Sequence, residues 1–314
     1  MDRRTFISTT ALGATAALLA RSPLLSASTN DGPEIAITID DPRVSDAPGM
    51  SAEEVNSRIL QHLADAKLRA ALFVCGMRVD NGAGRKLLSA WNDAGHLLGN
   101  HSYSHKYFNS KKVSLEDFQA DAAKGEQLIG SYPRFHKLFR FPFFKEGDTL
   151  EKRDGMRAWL AKNGYQQGRA TIDASDWAID ARLSKRLKES PQADLKPYRD
   201  FYLQHIWERA QYYDGLARRV LGHSPRHTLL IHHLALNAHF LGDLLAMFRQ
   251  RGWRLVNADH AYRDPIYKRE PNILPAGESL IWALAKETGL FDSELRYPGE
   301  DSEYEDPHMD AVKL

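Results

Sequence analysis

Short apolar runs alternate with amphipathic stretches along most of this chain, and that alternation confines it to parallel βα units. The residues from Ile35 to Asp40 read as a strand rich in β-branched side chains. Ser51-Ala52-Glu53-Glu54 has the form of a capping box, and Val55, Ile59 and Leu63 continue at helical spacing. A second buried strand runs from Ala70 to Cys75. A helix from Gly84 to Ala94 stops at Gly95, and Leu97 to Asn100 is a short strand. The stretch from Ser114 to Tyr132 reads as a helix with acidic residues in its first turn. Lys137 to Phe141 is a strand ended by Pro142, and Thr149 to Asn163 a helix stopped by Gly164. The pattern resumes with a strand from Thr228 to Ile231, a helix from about Ala238 to Arg251 and a strand from Trp253 to Val256. Between these halves, the charged stretch from Asp180 to Arg226 carries Tyr198, Phe201, Tyr202, Ile206 and Trp207 in an amphipathic arrangement, and reads as a helical insertion.

Length permits one large α/β domain or two small ones in 314 residues. With 42 basic against 41 acidic residues, the net charge of +1 gives no electrostatic case for nucleic acid or an anionic membrane as main partner. A weakly charged substrate such as a glycan suits it, and nothing points to a protein partner. The single cysteine, Cys75, sits in an apolar run, which excludes an intramolecular disulfide and assigns the thiol to the core.

Residues 1–27 read as an export leader of the twin-arginine type. Arg3 and Arg4 precede an apolar stretch from Ala11 to Ala20, and Leu25-Ser26-Ala27 offers a small-residue cleavage site. The apolar stretch is too short for a permanent membrane span. The mature chain then begins near Ser28, in the periplasm or outside the cell, with a catalytic domain over 28–264. Residues 265–314, rich in proline and acid, are expected to form a tail packed on the domain surface or partly disordered.

His101 and His105 are the first candidates for chemistry. Two imidazoles four residues apart can face one side of a helical turn, and imidazole is a common metal ligand. The spacing alone is weak, because His223 and His227 repeat it around Pro225; that second pair reads as solvated surface. Position separates the two. His101 follows directly on an apolar strand, and loops at the C-terminal ends of parallel strands form active sites. Asp40 and Asp41 end the first strand, Arg140 the strand from Lys137, and His232 and His233 the strand of Leu229 to Ile231. Asp173, Asp176 and Trp177 follow Ala170-Thr171-Ile172. Charged groups at the mouths of five strands are poorly explained as a solvated face. Adjacent carboxylates at Asp40 and Asp41 repel unless a cation stands near. Both reach one site only if the chain turns out of the strand, as Pro42 allows.

Taken in order, Thr38-Ile39-Asp40-Asp41-Pro42, His101-Ser102-Tyr103-Ser104-His105, Arg140-Phe141-Pro142-Phe143, Asp173-Ala174-Ser175-Asp176-Trp177 and Leu230-Ile231-His232 resemble the five motifs of the polysaccharide deacetylases, the NodB-like members of carbohydrate esterase family four. The likeness spans Ile35 to about Leu255. It implies a distorted (β/α) barrel of about seven strands and a metal-dependent hydrolase removing N-acetyl, or O-acetyl, groups from a polysaccharide. Asp41, His101 and His105 would hold one divalent ion, zinc first, with cobalt, manganese or nickel suited by the same ligands. Asp40 would be the general base, oriented by Arg140, and His232 the general acid, tuned by Asp176. Trp177 and Leu230 would line the acetyl pocket, and the Phe143 N–H would bind the oxyanion.

Three departures set the chain apart within that pattern. Asp41 is followed directly by Pro42 where Gly then Pro is usual. Phe143 replaces a common Tyr, and His233 a frequent Asp. No catalytic side chain is lost, but the identity of the polymer does not carry over. Two other readings fit parts of the same set. Two His and one carboxylate also build non-haem iron oxygenase sites, and a non-catalytic glycan-binding protein could use the same scaffold.

Overall fold

The computed structural model describes residues 32–295 and 302–314; the expected export leader lies outside the described residues. In chain order the strands are β1 (Glu34–Asp40), β2 (Ala71–Val74), β3 (Leu97–Asn100), β4 (Phe135–Phe139), β5 (Lys145–Gly147), β6 (Gln166–Gln167), β7 (Arg226–His232), β8 (Arg254–Leu255) and β9 (Ala276–Gly277). Seven of them pair in parallel in the order β6-β4-β3-β2-β1-β7, with β8 beside β1; β5 and β9 form a separate antiparallel pair. Ile35, Ile37, Ile39 and the whole of β2 are buried, because the sheet is covered on both faces. That double coverage is why these strands read as continuous apolar runs rather than alternating ones.

The sheet curls back on itself. After β6 the chain reaches β7, where Ile172 N–H donates to Thr228 O at 3.1 Å and Leu230 N–H to Ile172 O at 3.0 Å. This single bridge, where the sequence suggests a short strand from Ala170, links the two ends into the distorted (β/α) barrel. The seven strands of the main sheet being parallel, their C-terminal residues gather at one mouth.

The helices are α1 (Ala52–Asp65), α2 (Gly76–Val79), α3 (Gly82–Asp93), α4 (Leu115–Ile129), α5 (Leu150–Lys162), α6 (Asp176–Glu189), α7 (Lys196–Leu221), α8 (Ala235–Gln250), α9 (Ala258–Ala261), α10 (Leu280–Thr288) and α11 (Asp306–Ala311). Ser51 caps α1 by accepting from Glu54 N–H at 3.1 Å, and the helix buries Val55, Ile59 and Leu63. Each such side chain contributes about 1.5–3 kcal/mol of burial free energy. Cys75 is fully buried at the end of β2, and burial pushes its thiol up to about 11.

The stretch from Asp180 to Arg226, expected to be a helical insertion, holds most of α6 and all of α7. Tyr202, Ile206, Tyr213 and Leu216 of α7 join the main core. So do Leu280, Ile281 and Leu284 of α10 and Met309 of α11, so the segment after Asp264 contributes to the core. α7 also corrects one reading. His227 is fully buried rather than solvated, with Nε2 3.2 Å from Asp214 Oδ1 of α7 and Nδ1 3.0 Å from Thr171 Oγ1. Only His223 of that pair is exposed.

Candidate active site

A pocket of about 330 Å³ opens at the barrel mouth, lined by Asp40, Asp41, His101, His105, Phe143, Trp177, Leu230 and His232 among others. Arg140 and Asp176 lie beneath it, fully buried. All ten residues singled out in the sequence therefore meet in one place.

Asp40 is the last residue of β1, and Asp41 adopts a left-handed φ of 58°. The turn required to bring both carboxylates to one site thus occurs at Asp41 itself, one residue before the proline. The histidine pair is brought together differently from the expected helical turn. His101 to His105 is a loop in which Ser102 (φ 62°) and His105 (φ 54°) are left-handed, and the two rings lie 5.0 Å apart between centroids. Asp121 on the buried face of α4 holds this loop. It accepts from Tyr103 N–H at 3.2 Å, Ser104 N–H at 3.0 Å and Ser104 Oγ at 2.5 Å. Its only signal in the sequence is an acidic residue three positions after Phe118 on an otherwise apolar stripe.

Ligand atoms of Asp41, His101 and His105 lie within 4.8 Å of one another. Tetrahedral zinc with bonds near 2.1 Å needs donors about 3.4 Å apart, and His105 Nε2 lies 3.4 Å from Asp41 Oδ2. Asp41 Oδ1 is buried and accepts no hydrogen bond, although Arg78 Nε stands 3.3 Å away as an ion-pair partner. His101 Nδ1 bonds to Arg140 O at 2.8 Å. A carbonyl only accepts, so the proton is on Nδ1 and the Nε2 lone pair is free to ligate. Burial holds both imidazoles down to about 4, so both are neutral at pH 7. At Asp41 burial favours the neutral acid, but His101, His105 and Arg78 outweigh it and keep the carboxyl below its ordinary value. This donor set fits a divalent cation.

Arg140 spends its whole guanidinium on fixing Asp40 and its surroundings. Nη1 donates to Asp40 Oδ1 at 2.6 Å, Nε to Gly168 O at 2.7 Å, and Nη2 to Thr38 Oγ1 and Tyr262 Oη at 3.0 Å each. The ring of Phe73 packs beneath it, 4.0 Å from Cζ to the centroid. Burial still raises the Asp40 carboxyl to about 6 against the pull of Arg140. Across the pocket, His232 Nδ1 donates to Asp176 Oδ1 at 2.8 Å, which leaves Nε2 as the atom that can meet a substrate. Burial disfavours a charged His232 ring, but Asp176, then Asp40 and Asp41, lift it to about 9.

Phe143 and Phe144 are both left-handed, at φ 56° and 54°. The Phe143 ring packs on His105 at 4.5 Å between centroids and is 44% exposed, so the side chain walls the pocket while the main chain turns sharply beneath it. Residues not singled out in the sequence also serve the site. Arg78 of α2 faces Asp41, Asp121 holds the histidine loop, and Asn237 of α8 donates to Asp176 Oδ2 at 2.8 Å.

Residues 27–168 match the polysaccharide deacetylase family model. That stretch carries Asp40-Asp41, His101 to His105 and Arg140 to Phe143, and the fold delivers the two remaining motifs to the same pocket. Over that stretch the chain is similar to the polysaccharide deacetylases. Among curated relatives of this family, it is 24% identical over 144 residues to the peptidoglycan-N-acetylglucosamine deacetylase of Bacillus cereus. The match takes in 46% of each chain, so the chain spans about half the length of that relative. Solved structures give the same fold. One is an esterase of carbohydrate esterase family four from Streptococcus mutans, with 18% identity, 73% of this chain and 87% of that one, and a TM-score of 0.50. Another is a family four pseudoenzyme from Bacillus anthracis, with 16% identity, 74% of this chain and 66% of that one, and a TM-score of 0.50.

Proposed function

We propose that this chain is a metal-dependent hydrolase that removes N-acetyl groups from a cell-envelope or extracellular polysaccharide. One observation carries the reading. A carboxylate held by Arg140 and an imidazole held by Asp176 line the same pocket as three metal-type donors. Asp41, His101 and His105 would hold the ion. A bound divalent cation supplies Lewis acidity to the acetyl carbonyl and acidity to a water molecule.

The chain's own groups do the rest. Asp40 accepts the proton of the attacking water, a transfer its fixed orientation favours. The N–H of Phe143 donates to the oxyanion that develops on the acetyl oxygen, a contact worth about 3–4 kcal/mol in a site of this kind. His232 delivers a proton from Nε2 to the departing nitrogen, while Asp176 keeps Nδ1 protonated and the ring aimed. Trp177 and Leu230 flank the acetyl methyl group and exclude water. Base and acid have opposite protonation demands, as amide hydrolysis requires.

The likeness to a peptidoglycan deacetylase supports a cell-wall glycan as substrate, and residues 1–27 support export to reach it. No described helix is long and apolar enough to cross a membrane. The test is acetate release from a panel of N- and O-acetylated glycans, with metal-free and metal-restored protein. Activity that survives metal removal, or that requires dioxygen, sinks the assignment. Binding of glycan without acetate release makes the chain a lectin on the same scaffold.

A further inference from the structure

α7 is an unusual core helix. Tyr202, His205, Arg209 and Tyr213 are polar, buried and spaced three or four residues apart, so they share one face. Polar groups are costly in a core unless bonded, and this stripe is aimed at the loop from Asp173 to Asp176. The Tyr202 hydroxyl bonds to Asn237 Oδ1 at 2.5 Å. Asn237 Nδ2 donates to Asp176 Oδ2 and to the carbonyl oxygen of His232, both at 2.8 Å. The amide has one workable orientation. An Asp176 carboxylate and a carbonyl only accept, so the nitrogen faces them and the oxygen receives the tyrosine proton. One turn further on, His205 Nε2 lies 3.2 Å from Ser175 N, and Arg209 Nη2 donates at 2.5 Å to Glu305 Oε1, which Ser175 Oγ reaches at 3.3 Å.

Asp176 thus receives three bonds: His232 N–H and Asn237 Nδ2 at Oδ2, and His232 Nδ1 at Oδ1, each at 2.8 Å. Its plane cannot rotate while all three hold. We propose that α7 is a positioning helix for the proton donor: Tyr202, acting through Asn237, locks Asp176 and so fixes the tautomer and aim of His232. Neither Tyr202 nor Asn237 lines the pocket, so both act through other residues. The inference rests on the deacetylase reading and gives the insertion a task within it.

The experiment compares two substrates on the metal-loaded full chain. An N-acetylglucosamine oligomer has an amine leaving group that needs a proton. An aryl acetate such as 4-nitrophenyl acetate releases a phenolate that does not. Asn237→Ala is expected to lower kcat on the oligomer about 10–100-fold, with KM and metal content little changed and with aryl acetate hydrolysis nearly intact. Tyr202→Phe, which removes a single oxygen, is expected to shift the same ratio in the same direction by less; it carries the comparison alone if Asn237→Ala does not fold. In metal-free protein, the slowly exchanging Nδ1 proton of His232 seen by NMR should vanish in Asn237→Ala. Equal losses on both substrates, or no loss on the oligomer, overturn the role of α7. A wild-type chain inactive on every acetylated glycan overturns the deacetylase reading and this inference with it.

Discussion

The main-chain carbonyl of Arg140 accepts the Nδ1 proton of His101 at 2.8 Å, so the residue whose side chain grips Asp40 also sets the tautomer of a ligand-type imidazole. The two tasks use different atoms, which makes them separable by mutation.

Replacing Arg140 with Ala or Lys removes the Nη1 bond to Asp40 and leaves the carbonyl. Breaking a buried pair of this kind costs about 3–5 kcal/mol, and a lysine ammonium cannot reach Asp40, Gly168, Thr38 and Tyr262 together as the planar guanidinium does. Urea unfolding should reveal the loss, with acetate release abolished and metal still bound. A variant as stable as wild type would show that Asp40 is held by something else.

Asp40→Asn keeps the shape of the site and removes the base. Turnover should fall about 10²–10⁴-fold, while metal content measured by atomic emission stays near wild type. Retained turnover would transfer the base role to another group.

Asp121→Ala should weaken metal binding about 10–100-fold without touching a ligand, because three bonds to the Tyr103–Ser104 segment disappear. His101→Ala and His105→Ala should do so more severely, and a chelator should abolish activity in the wild type. Metal titration of the apo protein ranks the series, and an unchanged Asp121→Ala would mean the loop holds itself.

The His232 ring titrates at about 9, above its ordinary 6.5. Its protonated form therefore stabilises the metal-free fold fully below about pH 6.5, and that contribution is lost as pH rises through about 9. Turnover of amide substrates should decline on the same alkaline side. A bound cation opposes charge on the ring, so the decline in the loaded enzyme lies lower than in the apo titration. Asp176→Asn should bring the NMR-observed value down sharply; a ring near 6.5 with Asp176 intact would contradict the coupling.

The barrel was legible because β1 and β2 are buried on both faces, which writes an apolar run into the sequence that no solvated strand would carry. The site was legible because parallel strands deliver their ends to one mouth. The means were less so. His101 and His105 lie side by side, but through a loop braced by Asp121 rather than a helical turn, and a brace distant along the chain leaves no periodic trace. His227 was misjudged because α7 covers it, and which strand an insertion covers is a tertiary fact. Tyr202 was read as part of an apolar face, and its hydroxyl acquires meaning only once Asn237 stands beside it.

Asp41, Ser102, His105, Phe143 and Phe144 all hold left-handed backbone around one pocket. Each such residue costs the fold about 1–2 kcal/mol relative to a relaxed conformation. Selection for heat resistance would therefore find its easiest gains here, by glycine or asparagine replacements that relax the rim. The same replacements would discard a ligand or let the mouth sag. In this chain five of the positions most open to thermal improvement are also among the least dispensable for chemistry, so a hardened variant is best sought away from the pocket, where Lys67 is left-handed as well.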